Sequence, residues 1–312
     1  MFQNFWLAFP SLTALLILSS LFVKADKRNI LTNSKPLALL FVSLFCINSI
    51  EFSTYTNLIA PSLIMMKSFY AAVFFGILGI FLTSLKISQL NINLKKIFNI
   101  ILPCLTVSLV ILMLTTNLFV KGFEFIGYSY TRTPGNYYWI VQLYFPVYVF
   151  SSLFLLFMSS KQKKNVLNSK KAGLLLLSLS PIMIVGIVVL ILMNIGISIN
   201  ASIIFPIFTT FFLIILIQTE KEESFFSLLI KIPFSKERKT YAKIKSEIQQ
   251  FMLNTELSRS AELDTKTSLK ALTTSIENLI VQHIVESTNG SQIQAASILG
   301  ISASSICRKK KK

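Results

Sequence analysis

The sequence predicts an all-α protein, a bundle of seven membrane-crossing helices followed by a small helix-turn-helix unit, and three observations carry that expectation. Apolar runs of bilayer-spanning length recur from Met1 to Gln218. Lysines and arginines crowd alternate connections between those runs. From Ser275 onward the pattern turns amphipathic and is broken at Gly290 and Gly300.

With 53% hydrophobic and 14% charged residues and a mean hydropathy of +0.67, the composition excludes an ordinary soluble globule. The seven runs are Phe5 to Val23, Leu37 to Ile59, Phe69 to Leu85, Ile97 to Phe119, Trp139 to Met158, Gly173 to Met193 and Ile197 to Gln218. Backbone polar groups in hydrocarbon must be satisfied within each segment, so each run is expected to be a helix. The first has no basic stretch before it and no small-residue cleavage site, while Lys24, Lys27 and Arg28 follow it. It is therefore expected to be a retained span rather than a signal peptide.

The first, third and fifth connections hold twelve lysines and arginines, and the second, fourth and sixth hold three. The positive-inside rule then puts the N-terminus outside and, after seven crossings, the C-terminus in the cytoplasm. Residues 1–218 carry a net +12 of the chain's +17, which reflects this topology. Residues 219–312 carry +5, with five basic residues at Arg308 to Lys312 that suit phosphate or anionic lipid. The three cysteines, Cys46, Cys104 and Cys307, imply neither a disulfide framework nor a metal site.

Within the membrane domain, Glu51 lies inside the second run near Asn48, Ser49, Ser53, Thr54, Thr56 and Asn57. A carboxylate there is costly and should face the bundle interior, either as part of a ligand or proton site or bonded to a neighbouring helix. The fourth connection, Lys121 to Tyr138, carries Arg132 among Phe123, Phe125, Tyr128, Tyr130, Tyr137 and Tyr138, aromatics expected to form an interfacial belt. Asn48, Glu51 and Arg132 are the candidate sensing residues for an unknown signal ligand. Pro146, Pro181 and Pro206 can kink their helices and free backbone groups for a pocket.

Residues 219–274 read as a cytoplasmic linker. Phe225 to Phe234 is too short to cross a bilayer and is expected along the inner interface until Pro233 stops it. Tyr241, Ile244, Ile248 and Phe251 recur at steps of three, four and three, as a short dimer seam would require. Asn254 to Thr274 reads as a linker or weak helix, followed by an apolar stripe of Ile276, Leu279, Ile280 and Ile284.

Residues 275–312 then supply each part of a helix-turn-helix. Asn289-Gly290 can end one helix, and Ser291 with Gln294 forms a capping-box pair that starts the next. Ile293, Ala296, Ile298 and Leu299 offer an apolar face, and Ala295-Ala296 allows a neighbour to approach closely. Gly300 supplies the turn, Ile301 is expected to anchor it in the core, and Ser302 caps the last helix. There Ile306 points inward while Ala303, Ser304, Cys307 and Arg308 face outward. The expected core is thus Ala295, Ala296, Leu299, Gly300, Ile301 and Ile306.

At Asn289, Gly290, Gln292, Ala295, Ala296, Leu299, Gly300, Ile301 and Arg308-Lys309 this segment resembles the C-terminal DNA-binding segment of the Fis family, also found at the end of NtrC-type regulators. The resemblance implies a homodimer on double-stranded DNA, with phosphates met by Arg308, Lys309, Lys311 and Lys312 and bases nearest Ser302, Ala303, Ser304 and Cys307. The sequence departs from the family at Ala303, Ser304 and Cys307, where basic or amide side chains are usual, and at Lys310, where an apolar one is usual.

Thr116-Asn117, Pro134-Gly135 before Tyr137-Tyr138-Trp139, and Lys170-Lys171 leading to Pro181 are similar to the seven-helix region of some sensor histidine kinases. His283 lacks the phosphoacceptor pattern of that family, and the cytoplasmic part is too short for its ATP-binding domain. With no P-loop, paired zinc ligands or nucleophile elbow in the sequence, no enzyme and no cofactor are expected. The expectation is a membrane-bound one-component transcription regulator of the bacterial inner membrane. The alternative is a non-enzymatic receptor or transporter-like protein whose basic tail binds the lipid bilayer or a protein partner.

Overall fold

The computed structural model describes residues 5–26, 34–56, 58, 60–88, 90–126, 129–162, 166–195, 204–220, 222–260, 269–288 and 290–310. The chain divides after Glu220 into two compact units.

The first unit contains α1 (Phe5–Asp26), α2 (Lys35–Thr56), α3 (Leu63–Ile87), α4 (Ile92–Thr115), β1 (Val120–Phe125), β2 (Tyr130–Pro134), α5 (Tyr138–Ser160), α6 (Val166–Asn194) and α7 (Phe205–Glu220). Among the described residues six helices, α1 to α6, are long and apolar enough to cross a membrane. The seventh apolar run begins outside the described residues, and its described part, α7, has sixteen residues, which span about 24 Å. Ser62 starts α3 by accepting the Met65 N–H at 3.2 Å, and Asn91 starts α4 by accepting the Asn93 N–H at 3.1 Å. Inside the helices Ser43, Thr83, Ser84 and Ser152 donate their hydroxyls to carbonyls one turn back, which satisfies these four hydroxyl hydrogens in an apolar setting.

Packing follows a closed ring: α1 contacts α2, α2 contacts α3, α3 contacts α5, α5 contacts α6, α6 contacts α7, and α7 returns to α1. The α4 helix lies against α3 outside this ring and exposes Ile97, Ile100, Ile101, Leu105 and Ile111, a surface suited to hydrocarbon. The α2–α3 crossing is tight because α3 presents Gly76 and Gly79 there. A Cβ on Gly79 would lie 3.2 Å from the Leu40 backbone nitrogen. Leu37, Leu40, Phe41, Leu175, Leu179 and Leu213 fill the ring toward the α2 N-terminus. At that same end Lys86 pairs with Glu220 at 2.9 Å.

The hairpin departs from an all-helical unit. In it Phe123 pairs with Arg132, Glu124 with Thr131 and Phe125 with Tyr130, with an irregularity between Val120 and Gly122 that leaves Lys121 as the extra residue. The Ile126 N–H donates to the Ser129 carbonyl across the turn. Gly135 fixes the exit: its N–H donates to the Phe119 carbonyl, and a Cβ there would meet the Leu118 carbonyl oxygen at 2.2 Å. The expected aromatic belt is accordingly split. Phe125 and Tyr137 are exposed, whereas Phe123, Tyr130 and Tyr138 line a cavity; Tyr128 lies outside the described residues.

The second unit contains α8 (Glu222–Lys231), α9 (Lys236–Ser260), α10 (Leu269–Ser287), α11 (Gln292–Leu299) and α12 (Ala303–Lys310). Pro233 follows the end of α8, Phe234 takes φ 63°, and Ser235 restarts the chain by accepting the Arg238 N–H at 3.1 Å. Of Asn254 to Thr274, expected as a linker or weak helix, both ends are helical, because α9 runs on to Ser260 and α10 begins at Leu269. Its middle, 261–268, lies outside the described residues. The α9 and α10 helices pack together, and Thr240 Oγ1 lies 2.9 Å from His283 Nδ1. Of the expected seam on α9, Tyr241 and Ile248 are exposed while Ile244 and Phe251 are half-buried.

Candidate functional site

Asn48, Glu51 and Arg132, singled out separately in the sequence, line one cavity of about 260 Å³ in the first unit. It occupies the half of the ring opposite the Leu37–Leu213 core. The C-terminal parts of α2 and α6, the N-terminal parts of α3, α5 and α7, and the hairpin all contribute. The position follows from the helix order, since α2 runs into the cavity as α3 runs out of it.

Asn48 and Glu51 stand three residues apart on one face of α2 and are 1% and 5% exposed. The Glu51 carboxylate accepts from Ser11 Oγ on α1 at 3.4 Å. Asn48 Nδ2 donates to the Leu44 carbonyl at 2.7 Å, which fixes the amide orientation because a carbonyl can only accept. Asn48 Oδ1 is then a buried acceptor with no donor of its own.

The facing wall is aromatic. Tyr144 sits 4.4 Å edge-on from Phe74, and its hydroxyl is 2.8 Å from Thr106 Oγ1 on α4. Tyr70 meets Tyr138 edge-on at 6.2 Å, and the Arg132 guanidinium lies 4.7 Å over the Tyr138 ring. Of the three prolines expected near a pocket, Pro206 lines this one. The arrangement offers two buried hydrogen-bond acceptors on α2 and the Arg132 guanidinium in a chamber whose other lining is largely apolar and aromatic, the usual build of a small-molecule site.

In the second unit, Val281, Val285, Ala295, Ala296 and Ile306 form a small core, with Ile284, Leu299 and Ala303 packed around it. Of the expected α10 stripe, Ile276, Leu279 and Ile284 are half-buried and Ile280 is exposed, while Val281 and Val285 take the innermost positions. Past the end of α10 Gly290 takes φ 83°, and its N–H donates to the Val285 carbonyl at 2.9 Å. Ser291 Oγ accepts the Gln294 N–H at 3.4 Å and caps α11. Gly300 takes φ 65°, and the Ile301 N–H donates to the Ala296 carbonyl at 3.1 Å, a Schellman closure of α11.

Other expectations at this end need correction. Ile293 and Ile298 are exposed, since Ala295, Ala296 and Leu299 already face α10 and α12. Ile301 is 37% exposed and stands at the rim rather than in the core. Ala303 turns partly inward against the core, whereas Ser304 and Cys307 face out. Ser302 Oγ accepts the Ser305 N–H at 3.2 Å and lies within 2.9 Å of the Ser304 and Ser305 hydroxyls, so it acts as a cap. Arg308 and Lys309 fall on α12, and Lys311, Lys312 and Asn289 lie outside the described residues.

Several residues of the site were missed from sequence: Tyr70, Phe74 and Tyr144, which line the cavity, and Ser11, which donates to Glu51. The signal for two of them was present, because Tyr70 and Phe74 stand four apart on α3 and so share a face. Compared with known proteins, the chain matches no family model, no curated protein and no solved structure.

Proposed function

We propose that this protein is a membrane-bound one-component transcription regulator. Its seven-helix bundle, with α7 as the seventh crossing, binds a small signal molecule, and its cytoplasmic α10–α12 bind duplex DNA as a Fis-like homodimer. The reading is carried by the α11–Gly300–α12 geometry: two eight-residue helices joined by the three residues Gly300 to Ser302 and held on α10 by buried Ala295 and Ala296. Charge supports the orientation. Lys24, Lys35, Lys86, Lys95, Lys161 and Lys170 stand at helix ends on the side away from the cavity, so the cavity opens toward the outer face of the bacterial inner membrane.

On α12 the outward side chains Ser304 and Cys307 are small, and the basic residues follow from Arg308. Phosphate contacts then dominate affinity. Four of them per protomer give a log–log salt slope of about −0.9 each. The test is chromatin pull-down of the tagged full-length protein from intact membranes, beside an Ala296→Glu variant that buries a carboxylate in the α10–α12 core. Enrichment at a few loci, lost in the variant, is the expected outcome. Equal recovery of DNA with both proteins, or none with either, rejects the reading in favour of a receptor whose tail meets lipid or protein.

A further inference from the structure

The structure assigns a ligand class to the membrane cavity: a small amphipathic molecule with a protonated primary amine at one end and an apolar, ring-sized body at the other. This rests on the reading of the cavity as the sensory site, and it follows from what the cavity wall lacks. Glu51 is 5% exposed, and among the described residues no lysine, arginine or histidine forms an ion pair with it; its one hydrogen-bond donor is Ser11. A carboxylate in so apolar a chamber calls for a cation. Three residues away, Asn48 Oδ1 is a second buried acceptor without a donor, and its orientation is fixed by the bond from Nδ2 to Leu44.

An ammonium carries three N–H donors and no acceptor, which matches a carboxylate and an amide oxygen placed side by side on one helix face. A neutral hydroxyl supplies a single donor and no charge. The rest of the chamber specifies the body of the molecule. Phe74, Tyr70, Tyr144 and Phe145 line it, and their ring faces favour both an apolar body and a nearby cation. Cavities of about 150 Å³ take up benzene, so one of about 260 Å³ holds a ring with a short chain. The geometry therefore favours an arylalkylamine over a sugar, which would leave hydroxyls facing aromatic carbon.

The test uses the full-length protein in detergent with two probes of the same shape, phenethylamine and 2-phenylethanol, titrated calorimetrically at neutral pH. Phenethylamine is expected to bind saturably, and the alcohol at least tenfold more weakly. That comparison is made in the unaltered chain, so it carries no folding risk. Glu51→Gln keeps the shape and removes the charge, and is expected to cost phenethylamine at least tenfold while leaving the alcohol unchanged. Asn48→Leu is expected to cost a further several-fold, with thermal unfolding confirming that each variant is folded. Equal binding of both probes, undiminished amine binding by Glu51→Gln, or no binding of phenethylamine overturns the assignment. DNA occupancy plays no part in this measurement, so its failure leaves the regulator reading standing, and loss of chromatin enrichment leaves amine binding standing.

Discussion

Lys67 sits one turn into α3, is 5% exposed, and donates from Nζ to Asn117 Oδ1 at 2.9 Å, across from the segment that leads into the hairpin. A buried ammonium loses more when its acceptor is taken away than when ammonium and acceptor go together, because the remaining charge keeps its desolvation cost. Asn117→Ala is therefore expected to destabilise the full-length protein by about 1.5–3 kcal/mol. Lys67→Met, similar in length and apolar, should fall within about 1 kcal/mol of the parent. The double variant should recover most of the loss of Asn117→Ala, as read from thermal unfolding in detergent. If Lys67→Met proves the worse of the two, the bond is not what holds this corner. Neither residue stood out in the sequence for this role: Lys67 counted only as a loop charge, and Asn117 as one of a pair ending an apolar run. Glu51, Asn48 and Arg132 were legible because polar groups in a membrane segment or an aromatic connection are conspicuous, whereas their aromatic wall was hidden among 27 phenylalanines and 9 tyrosines.

For helices, the apolar runs located α1 to α6 to within about seven residues at each end, because a bilayer forces hydrogen bonding within the segment and leaves length as the main variable. What the runs could not convey is which faces meet. Gly76 and Gly79 decide the α2–α3 crossing and differ in the room they leave: a Cβ on Gly76 would meet Ser43 at 3.5 Å, an ordinary contact, and one on Gly79 would meet Leu40 backbone at 3.2 Å. Gly76→Ala should therefore be tolerated, within about 1 kcal/mol, while Gly79→Val forces α2 outward and should cost about 1–3 kcal/mol. Equal melting temperatures for these two variants would show that the crossing is not set by glycine contact. The hairpin was hidden for a different reason. Its strands are five and six residues long, interrupted at Lys121, and tied to Leu118 and Phe119 through Gly135, so no alternation accumulates for a sequence reading to detect. On α10 the expected stripe missed the two innermost residues, because Val281, next to exposed Ile280 in sequence, lies about 100° further round the helix.

At the scale of the whole molecule, the proposal joins a cavity on one side of a membrane to a DNA-binding unit on the other, so everything depends on the number and direction of crossings. The charge bias fixes an expected direction, and α7 decides whether the second unit lies in the cytoplasm. The chain supplies its own reporter, because Cys307 is exposed on α12. With Cys46 and Cys104 replaced by serine, a membrane-impermeant maleimide added to intact cells should leave Cys307 unlabelled until the cells are lysed. In a protein with Cys307 also replaced, Glu124→Cys on the hairpin should be labelled in intact cells and Lys161→Cys after α5 should not, since both positions are exposed to solvent and differ only in side. If Glu124→Cys and Cys307 are both labelled from outside, α7 does not complete a seventh crossing and the second unit cannot reach DNA. If Lys161→Cys is labelled while Glu124→Cys is protected, the charge argument is inverted and the amine cavity opens to the cytoplasm instead. The labelling pattern is thus the measurement on which the joining of sensor and output stands.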